Sequence, residues 1–327
     1  MKIFKNKNIL ITGASGFLGG HTCEQLVKMN ANVTLLFNDY KKNNYVFNRK
    51  LDKKVNIVYS DINASDKISE IISKYEINYI FHYAANSIVK KCVDEPLNAF
   101  RTNILGTATL LEACKRNIDQ IDGFLCMESD KSYGSFDEKD LPYKEDQPIK
   151  PKHIYEVSKA CAGMVSMSYY HNFDLPVFIV RAANLYGPGD FNLSRIVPKT
   201  IYNINNNLDP ILYEGVGSYI REFLYVEDAA SIIIQLMSMI KEIKGQIINI
   251  GSGEKISIND FMNLLIKISN KKVKIKLEKK DVLFKEIEKQ YLDIEKFKRI
   301  LPEFQITKLE FGLSKTFNWY LNYFNNL

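Results

Sequence analysis

The chain has 327 residues, 46% of them hydrophobic and 25% charged, with a formal net charge of +6, which is enough for one large α/β unit or two coupled lobes. Its basic residues are scattered, so the charge favours a small anionic ligand and excludes a nucleic-acid footprint. No segment approaches the ~20 apolar residues of a membrane span, and the run Ile9-Leu10-Ile11 breaks at Thr12-Gly13 before it could act as a leader, so a cytoplasmic protein without membrane partners is expected.

In chain order, residues 8–11 are a short apolar strand that ends at a glycine-rich segment. Residues 20–29 have helical periodicity, 32–37 read as a second strand and 55–59 as a third. A helix follows through Ile68, Ile71, Ile72 and Tyr75, and 79–82 is a fourth strand. A long helix is expected over 97–115, with Phe100, Ile104, Leu105, Ala108 and Leu111 on one face. Strands at 123–127 and 177–181 flank a helix over 154–170. Apolar strands alternating with helices predict an α/β protein with a doubly wound parallel sheet. After Tyr186-Gly187-Pro188-Gly189 the rhythm becomes irregular, which predicts a smaller mixed α/β C-terminal lobe. The expected division is 1–186, with a returning segment near 219–250, and 187–327. Residues 271–276 alternate lysine with apolar residues and read as a strand with one solvated face. Cys23, Cys92, Cys114, Cys126 and Cys161 form no CxxC or Cys/His pattern, so free thiols and no metal site are expected.

Gly13-Ala14-Ser15-Gly16-Phe17-Leu18-Gly19 follows a strand and opens a helix within a βαβ pattern. In that context the glycines let backbone amides approach a pyrophosphate at a helix N-terminus, which makes this half a dinucleotide-binding Rossmann fold. An acid at the end of the second strand normally grips the adenosine ribose. Phe37 stands there, with Asn38 and Asp39 just beyond, and Asp39 favours NAD. Lys41 and Lys42 could take the extra phosphate of NADP, although a solvated loop is the preferred reading. Asp61-Ile62 ends the third strand, where a carboxylate can accept from the adenine amino group. Ala84 and Ala85 are small enough to let the cofactor pass close.

Tyr155 and Lys159 lie one helical turn apart and share a face. An ammonium there favours phenolate, so a lowered Tyr155 pKa is expected and the residue suits a base. Lys159 can also hold the nicotinamide ribose. Ser129, in Glu128-Ser129-Asp130-Lys131, can hydrogen-bond the same substrate hydroxyl. Together Ser129, Tyr155 and Lys159 fit proton removal coupled to hydride transfer.

The set GASGFLG, Asp61-Ile62, HYAA (82–85), NILGT (103–107), YEVSK and RAANLYGPGD (181–190) resembles the extended short-chain dehydrogenase/reductase family. REFLYVEDAA (221–230), NIGSG (249–253) and GLSKTFNWY (312–320) extend the match over nearly the whole chain. The resemblance implies an enzyme acting on a nucleotide-activated sugar, with Asn103 among the cofactor-binding residues. Asn184, Arg195 and Arg221 are implied at the substrate pyrophosphate, where arginine suits a bidentate grip. The C-terminal lobe is then the nucleotide-sugar lobe. Homodimers through the helices at 97–115 and 154–170 are also implied.

Asp130-Lys131 resembles the 4,6-dehydratases of the family, and with FHYAANSIVKKCVDEP and FNLSRIVP most resembles the CDP-glucose 4,6-dehydratase group. The chemistry agrees. A ketone at carbon 4 acidifies the proton on carbon 5, which Lys131, if neutral, could remove. Asp130, if protonated, could protonate the departing carbon-6 hydroxyl, after which hydride returns to carbon 6. Members often carry an arginine shortly before the segment Lys289-Gln290-Tyr291-Leu292-Asp293, where Lys289 stands nearest. The alternatives are a 4-epimerase, a 4-dehydrogenase, or a non-catalytic dinucleotide-binding protein.

Overall fold

The apolar strands alternate their side chains between two cores. Ile9 and Ile11 belong to one buried cluster and Leu10 to the other; Leu125 and Phe124 divide in the same way. Strands buried on both faces are what a helix-covered parallel sheet requires. The computed structural model describes residues 3–40, 43–279 and 286–325, so Lys41 and Lys42 lie outside the described residues.

The strands are β1 Asn8–Thr12, β2 Asn32–Phe37, β3 Asn56–Tyr59, β4 Tyr79–His82, β5 Gly123–Met127, β6 Val177–Ala182, β7 Asn184–Tyr186, β8 Ile211–Tyr213, β9 Ile220–Tyr225, β10 Ile247–Ile250, β11 Lys255–Ser257 and β12 Lys276–Glu278. Seven of them form a parallel sheet in the order β10-β6-β5-β4-β1-β2-β3. The chain runs outward from β1 through β2 to β3 and then crosses to β4 on the other side of β1. That reversal opens a crevice at the carboxyl ends of the strands.

Helices Phe17–Lys28 and Val226–Ser238 pack together over one face. Ser65–Lys74, Gly106–Arg116 and Ile154–Phe173 supply Ile68, Leu110 and Ala162 to the core on the other face. In the smaller lobe β7 pairs with β9, and β9 with β11. Tyr186, Phe223, Phe261 and Phe317 anchor its core. The chain returns to the large sheet through Val226–Ser238 and β10, while β9 stays in the small sheet.

Two elements differ from expectation. The helix over 97–115 is divided into Pro96–Phe100, a π-helical segment Arg101–Leu105, and Gly106–Arg116. The π turn adds one residue to the spiral within the expected helix. Residues 271–275 are not a strand; β12 begins at Lys276 and pairs with β8. Lys271 and Lys274 instead bond to the Asn207 and Asp209 side chains. The five cysteines are free, four of them buried. Among the described residues no helix is long and apolar enough to cross a membrane.

Candidate active site

A cleft of about 850 Å³ opens along the crevice and continues to the smaller lobe. Gly13, Ser15, Gly16, Phe17, Leu18 and Gly19 form one wall. Gly13 has φ +71°, and a Cβ there would stand 2.6 Å from the Ala84 nitrogen, so the turn after β1 admits only glycine without displacing backbone. Helix Phe17–Lys28 starts at Gly16 with no side-chain cap and no acid in its first turn. Its leading N–H groups and dipole are therefore available to an anion. Ala84 and Ala85 line the floor. This uncapped N-terminus, with no side chains filling the loop, fits an extended dinucleotide.

At the far end, Phe37 is fully buried and packs edge-on against Phe47 and Tyr59. It belongs to the core, and Asn38 and Asp39 line the cleft in its place. Asp61 and Ile62 line the same end, and Asp61 accepts from the Asn63 backbone at 2.8 Å.

The opposite wall is built at the end of β5. Ser129 caps a 3₁₀ turn, Asp130–Tyr133, accepting from the Lys131 nitrogen at 3.3 Å and donating to Asp130 Oδ1 at 2.9 Å. Asp130 is 2% exposed and its Oδ2 has no partner among the described residues. Burial pushes its carboxyl up, against the opposing pull of Lys131 and of the Ser129 hydrogen bond. Tyr155 and Lys159 enter from helix Ile154–Phe173. Ser129 also eases ionisation of the Tyr155 phenol. Its single hydroxyl proton can serve Asp130 or Tyr155, one at a time.

The expected Tyr155 shift needs correction, and two further expected residues, Asn103 and Arg221, lie outside the cleft lining. Tyr155 is not lowered: burial raises it to about 12, which outweighs the Ser129 hydrogen bond. Lys159, itself lowered by burial, lines the same cleft and donates its ammonium to the Met127 carbonyl. Asn103 does not line the cleft. It is 1% exposed, accepts from the Asn86 nitrogen at 2.7 Å and donates to Ser158 Oγ at 2.8 Å. Arg221 does not line the cleft either; its guanidinium donates to the carbonyls of Ile220, Ile287 and Glu288.

Asn184 and Arg195 do line the cleft on the lobe side. Arg195 pairs with Asp190 at 3.1 Å and donates to Ser87 at 3.2 Å. Sequence reasoning missed Asn86, Ser87 and Lys91 on the wall after β4. Asn86 directly follows the HYAA motif, and its adjacency was the available signal. Lys289 pairs with Glu138 at 2.5 Å.

The NAD dependent epimerase/dehydratase family pattern matches residues 9–251, and the chain belongs to that family. Its members are enzymes of nucleotide-sugar metabolism and include dehydratases. Over 98% of its length the chain is 32% identical to a trifunctional UDP-glucose 4,6-dehydratase/UDP-4-keto-6-deoxy-D-glucose 3,5-epimerase/UDP-4-keto-L-rhamnose-reductase of Arabidopsis thaliana, and it spans 48% of that protein. It is thus about half the length of such relatives. It is 29% identical to a dTDP-glucose 4,6-dehydratase of Streptomyces antibioticus over 79% of this chain and 76% of the relative. Among solved structures it resembles a UDP-glucuronic acid 4-epimerase of Bacillus cereus in complex with UDP-glucuronic acid and NAD. There the TM-score is 0.86 and the identity 25%, over 97% of this chain and 99% of that one.

Proposed function

We propose that the chain is an NAD-dependent nucleotide-sugar 4,6-dehydratase. One observation carries the reading: an Asp-Lys pair directly follows the serine at the end of β5, with the Asp130 carboxyl buried and pushed toward its protonated form. An epimerase needs no such acid, because it expels no hydroxyl. The relatives include UDP- and dTDP-glucose 4,6-dehydratases, alongside a decarboxylase and a putative 4-epimerase.

Gly13, Ser15, Gly16, Phe17, Leu18 and Gly19 cradle the pyrophosphate of NAD, Asp39 takes its ribose hydroxyls, and Asp61, Ile62, Ala84 and Ala85 complete the berth. When bound, the dinucleotide would accept hydride from carbon 4 and return it to carbon 6 after the elimination. Tyr155 would take the proton of the sugar 4-hydroxyl from its phenolate form, which the Ser129 hydrogen bond favours and burial opposes, and Lys159 would orient the nicotinamide ribose. Once carbon 4 is a ketone, Lys131 takes the acidified carbon-5 proton. Asp130 gives its proton to the carbon-6 hydroxyl, which leaves as water. Asn184 and Arg195 hold the substrate pyrophosphate. Arg221 is reassigned to support of the 286–288 segment. The seven-stranded sheet carries NAD and the smaller lobe the sugar nucleotide, following the division at 186 with its return near 219–250. A homodimer is proposed through helices 96–116 and 154–173, where Leu97, Leu105 and Met164 stand 77%, 56% and 61% exposed.

The test is a panel of CDP-, UDP-, GDP- and dTDP-hexoses followed by mass spectrometry. Loss of one water is expected from one of them, with CDP-glucose, UDP-glucose and dTDP-glucose the leading candidates. An unchanged mass with inverted carbon 4 would establish a 4-epimerase, and loss of two hydrogens a 4-dehydrogenase. If Lys131→Ala still exchanged the carbon-5 proton with heavy water at the wild-type rate, its role as the base would be wrong.

A further inference from the structure

Gln290 lies 159 positions beyond Lys131, yet its amide oxygen stands 3.5 Å from the Lys131 ammonium. The side chain is fully buried, and its Nε2 has no partner among the described residues. A buried primary amide with an unspent donor costs stability unless it serves something else. Its backbone is fixed from several sides. The Gln290 nitrogen donates to Ile220, and Ile220 in turn donates to Glu288. Leu292 donates to the Glu222 carboxyl at 2.9 Å, and Tyr143 donates to Tyr291. The amide therefore reaches the acid–base pair from a braced segment, not from a loose loop.

The geometry points to Gln290 as a positioning residue that holds Lys131 through a neutral acceptor, orienting the amine without pinning its proton. This rests on the dehydratase reading, which makes Lys131 the carbon-5 base. A carboxylate in the same place would hold Lys131 as ammonium, unable to take a proton. The other charged or titratable groups gathered around the pair are Asp130 beside it, Arg221 and Glu222 on β9, Tyr143 and Tyr155. Among these the neutral acceptor leaves the amine the freest choice of protonation state.

The test is competitive labelling of the holoenzyme with trace deuterated acetic anhydride from about pH 7 to 11, read on the Lys131 peptide by mass spectrometry. Gln290→Glu should raise the Lys131 labelling midpoint by about 1–3 pH units. Gln290→Met should lower it, so that Lys131 labels faster than wild type at neutral pH. Lys289, paired with Glu138, serves as the internal control and should not move. A purely structural role would lower the melting temperature of both variants and leave the Lys131 midpoint where it is, and that result overturns the proposal. If Gln290→Glu does not fold, the Gln290→Met midpoint decides alone. With UDP-glucose and dTDP-glucose in heavy water, Gln290→Glu should also slow deuterium entry at carbon 5 at least tenfold, with carbon-4 oxidation retained. Failure of the wild-type protein to dehydrate any sugar of the CDP-, UDP-, GDP- and dTDP-hexose panel would sink the dehydratase reading, while the labelling still decides the role of Gln290.

Discussion

The two walls of the cleft are built on opposite physics. The wall of residues 13–19 and 84–85 offers backbone N–H groups, a helix dipole and closely approaching small residues, and no titratable side chain of that stretch enters it. The facing wall gathers Asp130, Lys131, Tyr155 and Lys159, three of them with pKa values displaced by burial. One wall gains its ligand by shape and is indifferent to pH. The other gains reactivity by holding ionisable groups where their ordinary charge is disfavoured, and it must respond to pH. A cleft made this way can bind a dinucleotide steadily while its chemistry is tuned separately.

The sharpest division between the walls is expected from Tyr155→Phe. Removing the phenolic proton acceptor should lower kcat by about 10²–10⁴, or ~3–5 kcal/mol of barrier. NAD affinity, measured by fluorescence titration, should stay at the wild-type level. A comparable loss of NAD affinity would mean that the walls do not act separately.

Glu222, behind the reactive wall, gives the next largest effect. Its carboxyl accepts from the Gly253 and Leu292 nitrogens, and burial raises its pKa from 4.5 to about 7. A folded-state pKa above the unfolded one means that the native protein binds the extra proton. The contribution is complete below pH 4.5 and is lost as pH rises through about 7. The expected decline is about 3 kcal/mol across that window, with Asp130 adding in the same direction. Glu222→Gln should start less stable, having one acceptor oxygen fewer, and show a much flatter slope in urea titrations at the two ends of the window. An equally steep slope in the variant would place the pH response elsewhere.

Gly13→Ala probes the other wall. The new Cβ meets the Ala84 backbone at 2.6 Å in a left-handed conformation, a strain of about 1–3 kcal/mol. NAD affinity should fall roughly tenfold, and the pH profile of kcat should be superimposable on the wild type. A shifted profile would show that the backbone wall also sets the chemistry.

The walls also differed in how far they could be read from sequence. The glycine wall was legible because every residue of the loop is contiguous and β1, β2 and β4, buried on both faces, leave uninterrupted apolar runs. Asp130 and Lys131 were legible as adjacent letters. The sign of the Tyr155 shift was not, because it is set by burial of the phenol in the folded wall, which local spacing does not report. Gln290 was hidden by the 159 residues between it and Lys131. Arg221 reads as a phosphate ligand by motif, but burial sends its fork to three carbonyls of the 287–288 and 220 backbone. The π segment escaped notice because one inserted residue leaves the apolar stripe of 97–115 nearly intact; Asn103 within it sits at the junction of two elements.

That junction supplies the smallest and most discriminating effect. Asn103 accepts from the Asn86 nitrogen and donates to Ser158, whose hydroxyl donates to the Tyr155 carbonyl at 2.8 Å. It therefore links the wall after β4 to the first turn of the helix that bears Tyr155. Asn103→Ala leaves the half-buried Asn86 N–H without this partner and should cost about 0.5–1.5 kcal/mol of stability. Ser158 keeps its bond to Tyr155, so that turn should slacken without unwinding, and kcat should fall by only a few-fold, well short of Tyr155→Phe. If Asn103 touched the dinucleotide, as the family resemblance implied, the variant would lose NAD affinity at nearly unchanged melting temperature. A lowered melting temperature at nearly unchanged NAD affinity is the outcome expected of a residue that joins the walls and belongs to neither.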